Sequence, residues 1–365
     1  MAKKASKKTV APKAASQPSK IKIGVIGCGG IARNQHMPGY AKLPYAEIVA
    51  CCDVVEASAK AAAQQFNVPQ VFSDYKKLLK IKEIDAVSVC TPNFMHKQPT
   101  VDALMAGKHV LVEKPIAMNG QEGQEMCDAA KASGKKLAVG FNNRWRPEVQ
   151  HVKKLIDAGE FGEIYYARAQ ALRRRGIPGW GVFGEKDKQG GGPLIDIGVH
   201  ILDITLYLMG HPKPVAASGK AYTKFGTRKD VVGLMGQWNT DTFTVEDFAV
   251  GLIRFDNGSA ATLESSFCAN IGPTDIFTTA LMGTKAGCDV LPLRIYTEEN
   301  MQLYDVSPVA LKKVDSTHAH EIKLFVDAIR NDTPVAVPGE QGLAVTKILD
   351  AIYKSQETDA EVRIN

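Results

Sequence analysis

The sequence predicts an α/β protein in two parts: an N-terminal doubly wound parallel sheet, then a C-terminal α+β half with a mostly antiparallel open sheet. Two patterns carry this prediction. From Ile21 to about Gly140, short apolar strand-like runs alternate with helix-like segments, the arrangement that builds a parallel sheet covered on both faces. After Pro147 the alternation stops, and longer strand-like runs follow with hairpin chemistry between them.

The first strand, Ile21 to Ile26, breaks into Gly27-Cys28-Gly29-Gly30-Ile31-Ala32 and re-emerges as a helical pattern to Leu43. Gly27 permits a tight turn, Gly29 lets backbone approach a pyrophosphate, and Ala32 keeps the helix close to the sheet. The helix N-terminus then offers free N–H groups to phosphates. A second run, Glu47 to Cys52, ends at Asp53, close to the ~20-residue offset of an acid that binds an adenosine ribose. Together these predict a dinucleotide site of the Rossmann kind. A carboxylate here repels a 2′-phosphate, and Val54 and Val55 supply no cation to neutralise one, so NAD is expected over NADP. Asp53 and Glu56 also have capping-box spacing for the helix Glu56 to Phe66.

The remaining strands expected in this half are Ala86 to Cys90, His109 to Val112 and Lys136 to Val139, with helices Gln98 to Ala106 and Gly120 to Ala132. Ligands of such sheets sit at the carboxyl ends of strands, which points to Thr91-Pro92-Asn93, Glu113-Lys114-Pro115 and Asn142-Asn143-Arg144. In the second half a helix, Glu148 to Ala158, precedes strands Ile164 to Ala171, Phe248 to Phe255 and Ala260 to Phe267, with Asp256-Asn257-Gly258 as the turn between the last two. Residues 172 to 192 form a loop with seven glycines, Arg173-Arg174-Arg175 and Trp180. Helices His320 to Arg330 and Gly339 to Ser355 close the chain.

The net charge of +6 is local. Residues 1 to 20 hold six lysines and no acid, leaving 39 basic and 39 acidic residues elsewhere, so the body has no electrostatic footprint for nucleic acid. The Lys-, Ala-, Ser- and Pro-rich tail reads as disordered and lacks the apolar run of a secretion signal. Seven cysteines, an odd number lying mostly in apolar runs, read as free thiols. With no apolar run long enough to span a bilayer, neither a membrane nor a nucleic-acid partner is expected, and the cytoplasm is the expected compartment.

A third pattern concerns chemistry. After Gly190-Gly191-Gly192-Pro193, a helix start, Asp196, His200 and Asp203 fall at i, i+4 and i+7, while Ile195, Leu202 and Leu206 form an apolar stripe. Two carboxylates and an imidazole on one face can tune one another's proton affinity, although a polar surface stripe would look the same. Lys114, between a strand end and a proline, is placed to stabilise charge developing on a substrate oxygen.

These motifs resemble the Gfo/Idh/MocA family of oxidoreductases, which includes glucose-fructose oxidoreductase and inositol 2-dehydrogenase. The resemblance rests on the glycine turn with His36, Thr91-Pro92-Asn93 with His96, Glu113-Lys114-Pro115 and Asp196-x-Gly198-x-His200-x-x-Asp203, and covers nearly everything from Ile21 onward. It implies an NAD-dependent enzyme acting on a secondary hydroxyl of a sugar, cyclitol or glycoside, with Lys114, Asp196 and His200 catalytic. His200 would take the hydroxyl proton, Lys114 stabilise the oxygen, and Asp196 tune both. Thr91, Pro92, Asn93, His96, Glu113 and Lys114 would join Gly27, Gly29, Gly30, Ile31 and Asp53 around the cofactor. No metal is implied. Trp180 is expected either as a platform under a sugar ring or as core packing, and Arg144 as a hydroxyl contact. A homodimer or homotetramer is implied, with residues 1–20 as tail, 21–145 binding NAD and 146–365 binding substrate. Two other readings stay open: an NAD-retaining enzyme that cleaves glycosides by oxidation and elimination, and a catalytically silent sugar or NAD sensor.

Overall fold

The computed structural model describes residues 20–365, so the expected lysine-rich tail lies almost wholly outside the described residues. Six strands, β1 (Ile21–Ile26), β2 (Ala46–Cys52), β3 (Gln70–Phe72), β4 (Ala86–Val89), β5 (His109–Glu113) and β6 (Leu137–Gly140), form one sheet in the order β3-β2-β1-β4-β5-β6. All five neighbouring pairs are parallel. The chain leaves β1 toward β2 and later returns to place β4 on β1's other side, so a crevice opens at the carboxyl ends of β1 and β4. Burial on both faces explains the apolar runs, as in β4, where all four residues are buried and Ser88 is the one polar member.

The second sheet contains β7 (Ile164–Arg173), β8 (Pro214–Tyr222), β9 (Phe248–Phe255), β10 (Ala260–Ser266), β11 (Asp275–Gly283), β12 (Ala286–Val290), β13 (Leu293–Glu299), β14 (Gln302–Val306) and β15 (Val362–Arg363), in the order β14-β13-β12-β11-β7-β10-β9-β8-β15. Only β7 and β10 run parallel; the other pairs are antiparallel. Alternating burial along β9 and β10 marks a sheet with one face packed and one open. Helices Val199–Leu208 and Gly339–Thr358 cover the packed face.

Helix Thr317–Arg330 returns to the first sheet, burying Ile322, Phe325 and Val326 in one cluster with Ile23, Val25, Met37 and Tyr40. The main chain follows it: Val139 donates to Val337 O at 3.1 Å. The two sheets thus share the C-terminal helices.

Four local expectations change. The helix after the glycine turn opens as a π-turn, Ala32–His36, before Met37–Ala41. No capping box forms: Val55 is the N-cap of Glu56–Phe66, and Asp53 accepts from Cys28 N and Val55 N instead. Strand β7 runs on to Arg173, which places that arginine at a strand end. Segment Lys186–Leu208 is apolar and long enough by composition to cross a bilayer, contrary to the sequence expectation, yet 83% of its most apolar stretch is buried in the protein as core.

Candidate active site

Gly27 sits at φ +88°, and a Cβ there would lie 2.7 Å from the Cys90 carbonyl carbon. The turn therefore wraps tightly over the end of β4. Gly29 and Gly30 differ: a Cβ on Gly29 would meet no atom within 4 Å, and on Gly30 only Asn34 at 3.9 Å. This open cradle, backed by buried Ala32, fits a pyrophosphate against the backbone. Asp53 Oδ2 accepts from Cys28 N at 2.7 Å and Oδ1 from Val55 N at 2.8 Å, so the carboxylate is fixed beside the glycine turn. These residues fit NAD.

Behind the crevice lies a buried relay. His36 Nε2 is 2.6 Å from Glu113 Oε1, His36 Nδ1 is 3.1 Å from Ser88 Oγ, and Tyr40 Oη is 2.7 Å from the same Ser88 oxygen. Burial opposes both charges of the His36–Glu113 pair, but Cys90 and Glu113 together lift the imidazole above its usual range, and His36 with Lys114 lowers the carboxyl. Glu113 Oε2 also accepts from Lys114 N at 3.2 Å. Glu113 thus turns its side chain inward to His36 and braces Lys114. His96 is buried as well, with Nδ1 2.7 Å from Pro115 O and Nε2 2.8 Å from Thr91 O; burial lowers its proton affinity, so the neutral ring donates its one N–H to one of these two carbonyls. Thr91 Oγ1 donates to Met95 O at 3.0 Å, exposed Pro92 opens a 3-10 turn, and Asn93 Nδ2 donates to Gln189 O at 3.0 Å.

A cavity of about 600 Å³ joins the end of β5 to the second sheet, with Lys114, Asn143, Asp196 and His200 in its wall. Lys114 Nζ donates to both Asp196 O and Asp196 Oδ1, at 3.0 Å each. Burial pushes the Asp196 carboxyl up, but the Lys114 and Arg173 cations outweigh it and keep the group ionised. His200 is pushed down to about 3 by burial and the Lys114 cation, so its ring is neutral near neutral pH. The Asn143 amide nitrogen lies 3.2 Å from His200 Nδ1, leaving Nε2 as the nitrogen without a partner among the described residues. A cation and a neutral imidazole on one cavity can stabilise an oxyanion and move a proton.

Asp203 and Arg144 are not part of this wall. The helix begins with a π-turn, Leu194–Gly198, before Val199–Leu208, and the wider turn breaks the regular stripe. Arg144 grips Asp203 with Nε–Oδ2 at 2.8 Å and NH2–Oδ1 at 2.6 Å, both side chains 1% exposed, and its NH1 donates to Gln341 Oε1 at 2.6 Å. With each of its three guanidinium nitrogens bonded and almost no solvent contact, Arg144 braces the core and lies outside the cavity wall, where a hydroxyl contact was expected. Residues three apart share one side of a 3-10 turn such as Asn142–Trp145, so Asn143 and Arg146 reach the cavity while Arg144 turns inward. Arg146 and Phe183 were not among the expected site residues. Trp180 is 56% exposed at the cavity, edge-on to Phe183 with ring centres 6.3 Å apart, which excludes core packing.

A doubly wound sheet with a glycine cradle at its switch point, opening onto a lysine, a carboxylate and a neutral imidazole, defines an NAD-binding oxidoreductase. The chain belongs to the Gfo/Idh/MocA family. The model of its NAD-binding Rossmann-fold domain matches residues 21–141, and that of its C-terminal domain matches residues 149–288. Its relatives include D-glucoside 3-dehydrogenase of Escherichia coli, 37% identical over 352 residues that cover 96% of this chain and 100% of the relative. Another is the NAD(+)-dependent scyllo-inositol 2-dehydrogenase of Bacillus subtilis, 25% identical and covering 89% of this chain and 93% of its own. Among solved structures, levoglucosan dehydrogenase in complex with NADH superimposes with a TM-score of 0.82 at 25% identity, covering 95% of this chain and 100% of that one.

Proposed function

We propose that the protein oxidises a secondary ring hydroxyl of a pyranose or pyranoside, at C3 of a glucoside, with NAD as the oxidant. The observation that carries this reading is the Lys114–Asp196 contact beside His200 in one cavity. The E. coli relative, matched along its whole length, supports the choice of a glucoside and of position 3.

Lys114, oriented by Asp196, would donate to the substrate oxygen and stabilise negative charge on it. His200 Nε2 would exchange the hydroxyl proton. In the oxidation direction, the Asn143 carbonyl turned toward Nδ1–H would leave Nε2 bare to accept it. Bound NAD supplies the hydride-accepting carbon. Gly27, Gly29, Gly30 and Ile31 would hold its pyrophosphate, Asp53 its adenosine ribose, and Thr91, Pro92 and Asn93 would border the nicotinamide. Trp180, exposed beside Phe183, would cover the sugar ring.

The proposed division is 21–145 for cofactor and 146–365 for substrate, with helix Thr317–Arg330 serving the first sheet. The uncovered face of the second sheet, with Leu252 37% and Tyr296 36% exposed, supports a homodimer or homotetramer. Seven free, buried cysteines support a reducing, cytoplasmic setting.

The test is NADH formation at 340 nm from NAD and methyl β-D-glucopyranoside, with the keto position located by NMR. A 3-keto glucoside is expected. Activity confined to alcohols that are not carbohydrates would refute the proposal, and aglycone release without net NADH would establish the glycoside-cleaving reaction instead.

A further inference from the structure

Three arginines share the cavity with Lys114 and His200: Arg146, Arg173 and Arg175. All three are partly buried. Some arginines elsewhere on the second half find carboxylates, as Arg228 does with Asp230 at 2.7 Å and Arg254 with Glu361 at 3.1 Å. These three do not. Among the described residues neither Arg173 nor Arg175 has a carboxylate within 4.0 Å, and Arg146 reaches Glu148 only at that limit.

Their hydrogen bonds go to neutral acceptors. Arg173 NH1 donates to Gly176 O at 3.2 Å, and Arg175 donates to Ala269 O at 3.2 Å and Asn270 Oδ1 at 2.6 Å. Aromatic rings back both guanidinium groups, Phe267 at 5.8 Å from Arg173 and Phe225 at 5.3 Å from Arg175. Such contacts orient a cation without cancelling its charge. The cavity's carboxylates are Asp196, already engaged by Lys114, and Asp275, which stands opposite Arg173 in the β11–β7 register. With His200 neutral, four cations face two carboxylates across about 600 Å³.

A neutral sugar filling this space would strip water from guanidinium groups and return only weak partners. An anion would return charge-assisted, forked hydrogen bonds. We propose that Arg146, Arg173 and Arg175 form a subsite for an acidic substituent of the substrate, a carboxylate or a phosphate, so that the physiological substrate is an anionic sugar or glycoside. This rests on the dehydrogenase reading and narrows its substrate class.

The experiment compares kcat/KM across matched pairs with NADH formation as readout: methyl β-D-glucuronide against methyl β-D-glucopyranoside, glucose 6-phosphate against glucose, and 4-carboxyphenyl against phenyl β-D-glucopyranoside. The pairs separate carboxylate from phosphate and ring substituent from aglycone. At least one acid should exceed its neutral partner by about tenfold or more, with a preference that shrinks in high salt. Arg146→Met and Arg173→Met should each cut that ratio several-fold. Neutral substrates equal to or better than every acid would overturn the subsite and leave the dehydrogenase reading standing. A preference unchanged by both substitutions would also overturn it. NADH from none of the six sugars would overturn both. The wild-type ratios decide even if a variant fails to fold.

Discussion

Lys114 Nζ lies 3.0 Å from both the main-chain oxygen and Oδ1 of Asp196, so one ammonium joins the end of β5 to the π-turn that starts the helix under the second sheet. The contact spans the two halves of the protein and fixes the cavity between them.

Lys114→Met and Asp196→Asn should each lower kcat by about 10²-fold or more, because each removes a group held for the transition state. NADH binding, followed by its fluorescence, should stay within about an order of magnitude in both variants. Near-normal kcat in either one would return the pair to a purely structural role.

Arg144→Met should cost about 3–5 kcal/mol in urea unfolding, since it strands the Asp203 carboxylate at 1% exposure. The double variant Arg144→Met/Asp203→Leu should recover most of that loss, because no buried charge remains. A stable single variant with a raised sugar KM would instead put Arg144 in contact with substrate.

His200 links stability to pH. Its folded value near 3 lies below the unfolded value of about 6.5, so below pH 6.5 the unfolded ring takes up a proton that the folded ring refuses. This group's contribution to stability is full above pH 6.5 and is lost as pH falls toward 3. His200→Gln, which cannot titrate, should therefore lose less Tm than the wild type between pH 7 and 4.5, while its kcat at pH 7 falls about 10²-fold. Parallel Tm curves for the two proteins would show that the ring protonates normally in the fold.

Asp53→Ser should weaken NAD and narrow its advantage over NADP in calorimetric titrations. The substitution removes a negative charge that opposes a 2′-phosphate, and it also loosens the 2.7 Å bond to Cys28 N. Tighter NADP than NAD binding by the wild type would contradict the role given to Asp53.

Regular elements were the most legible part of the sequence. Ile21–Ile26, Phe248–Phe255 and Glu56–Phe66 lie where periodicity puts them, because burial of both sheet faces, or of one stripe, writes itself into adjacent residues. Strand β3 is three residues long, too short to show a period. Strands β13 and β14 carry mostly exposed or half-exposed residues, so no buried pattern marks them. Glycine and proline punctuation singled out Lys114, Asp196 and His200, which the fold brings to one cavity. Charge alone pointed to Arg144, whereas the 3-10 turn decides which of Asn143, Arg144 and Arg146 faces the cavity. Asp203 misled in the same way, because an α-helical stripe cannot anticipate a π-turn. The inward bond of Glu113 to His36 joins residues 77 apart, a distance that no local pattern reports.

The most direct measurement is isotope transfer from methyl β-D-glucopyranoside deuterated at C3, incubated with NAD and the wild-type protein. Direct hydride transfer at the Lys114–His200 cavity predicts NADH carrying one deuterium on its nicotinamide ring, and a loss of that product in Lys114→Met. NADH free of deuterium, or deuterium retained at C3 while NADH forms, would contradict it.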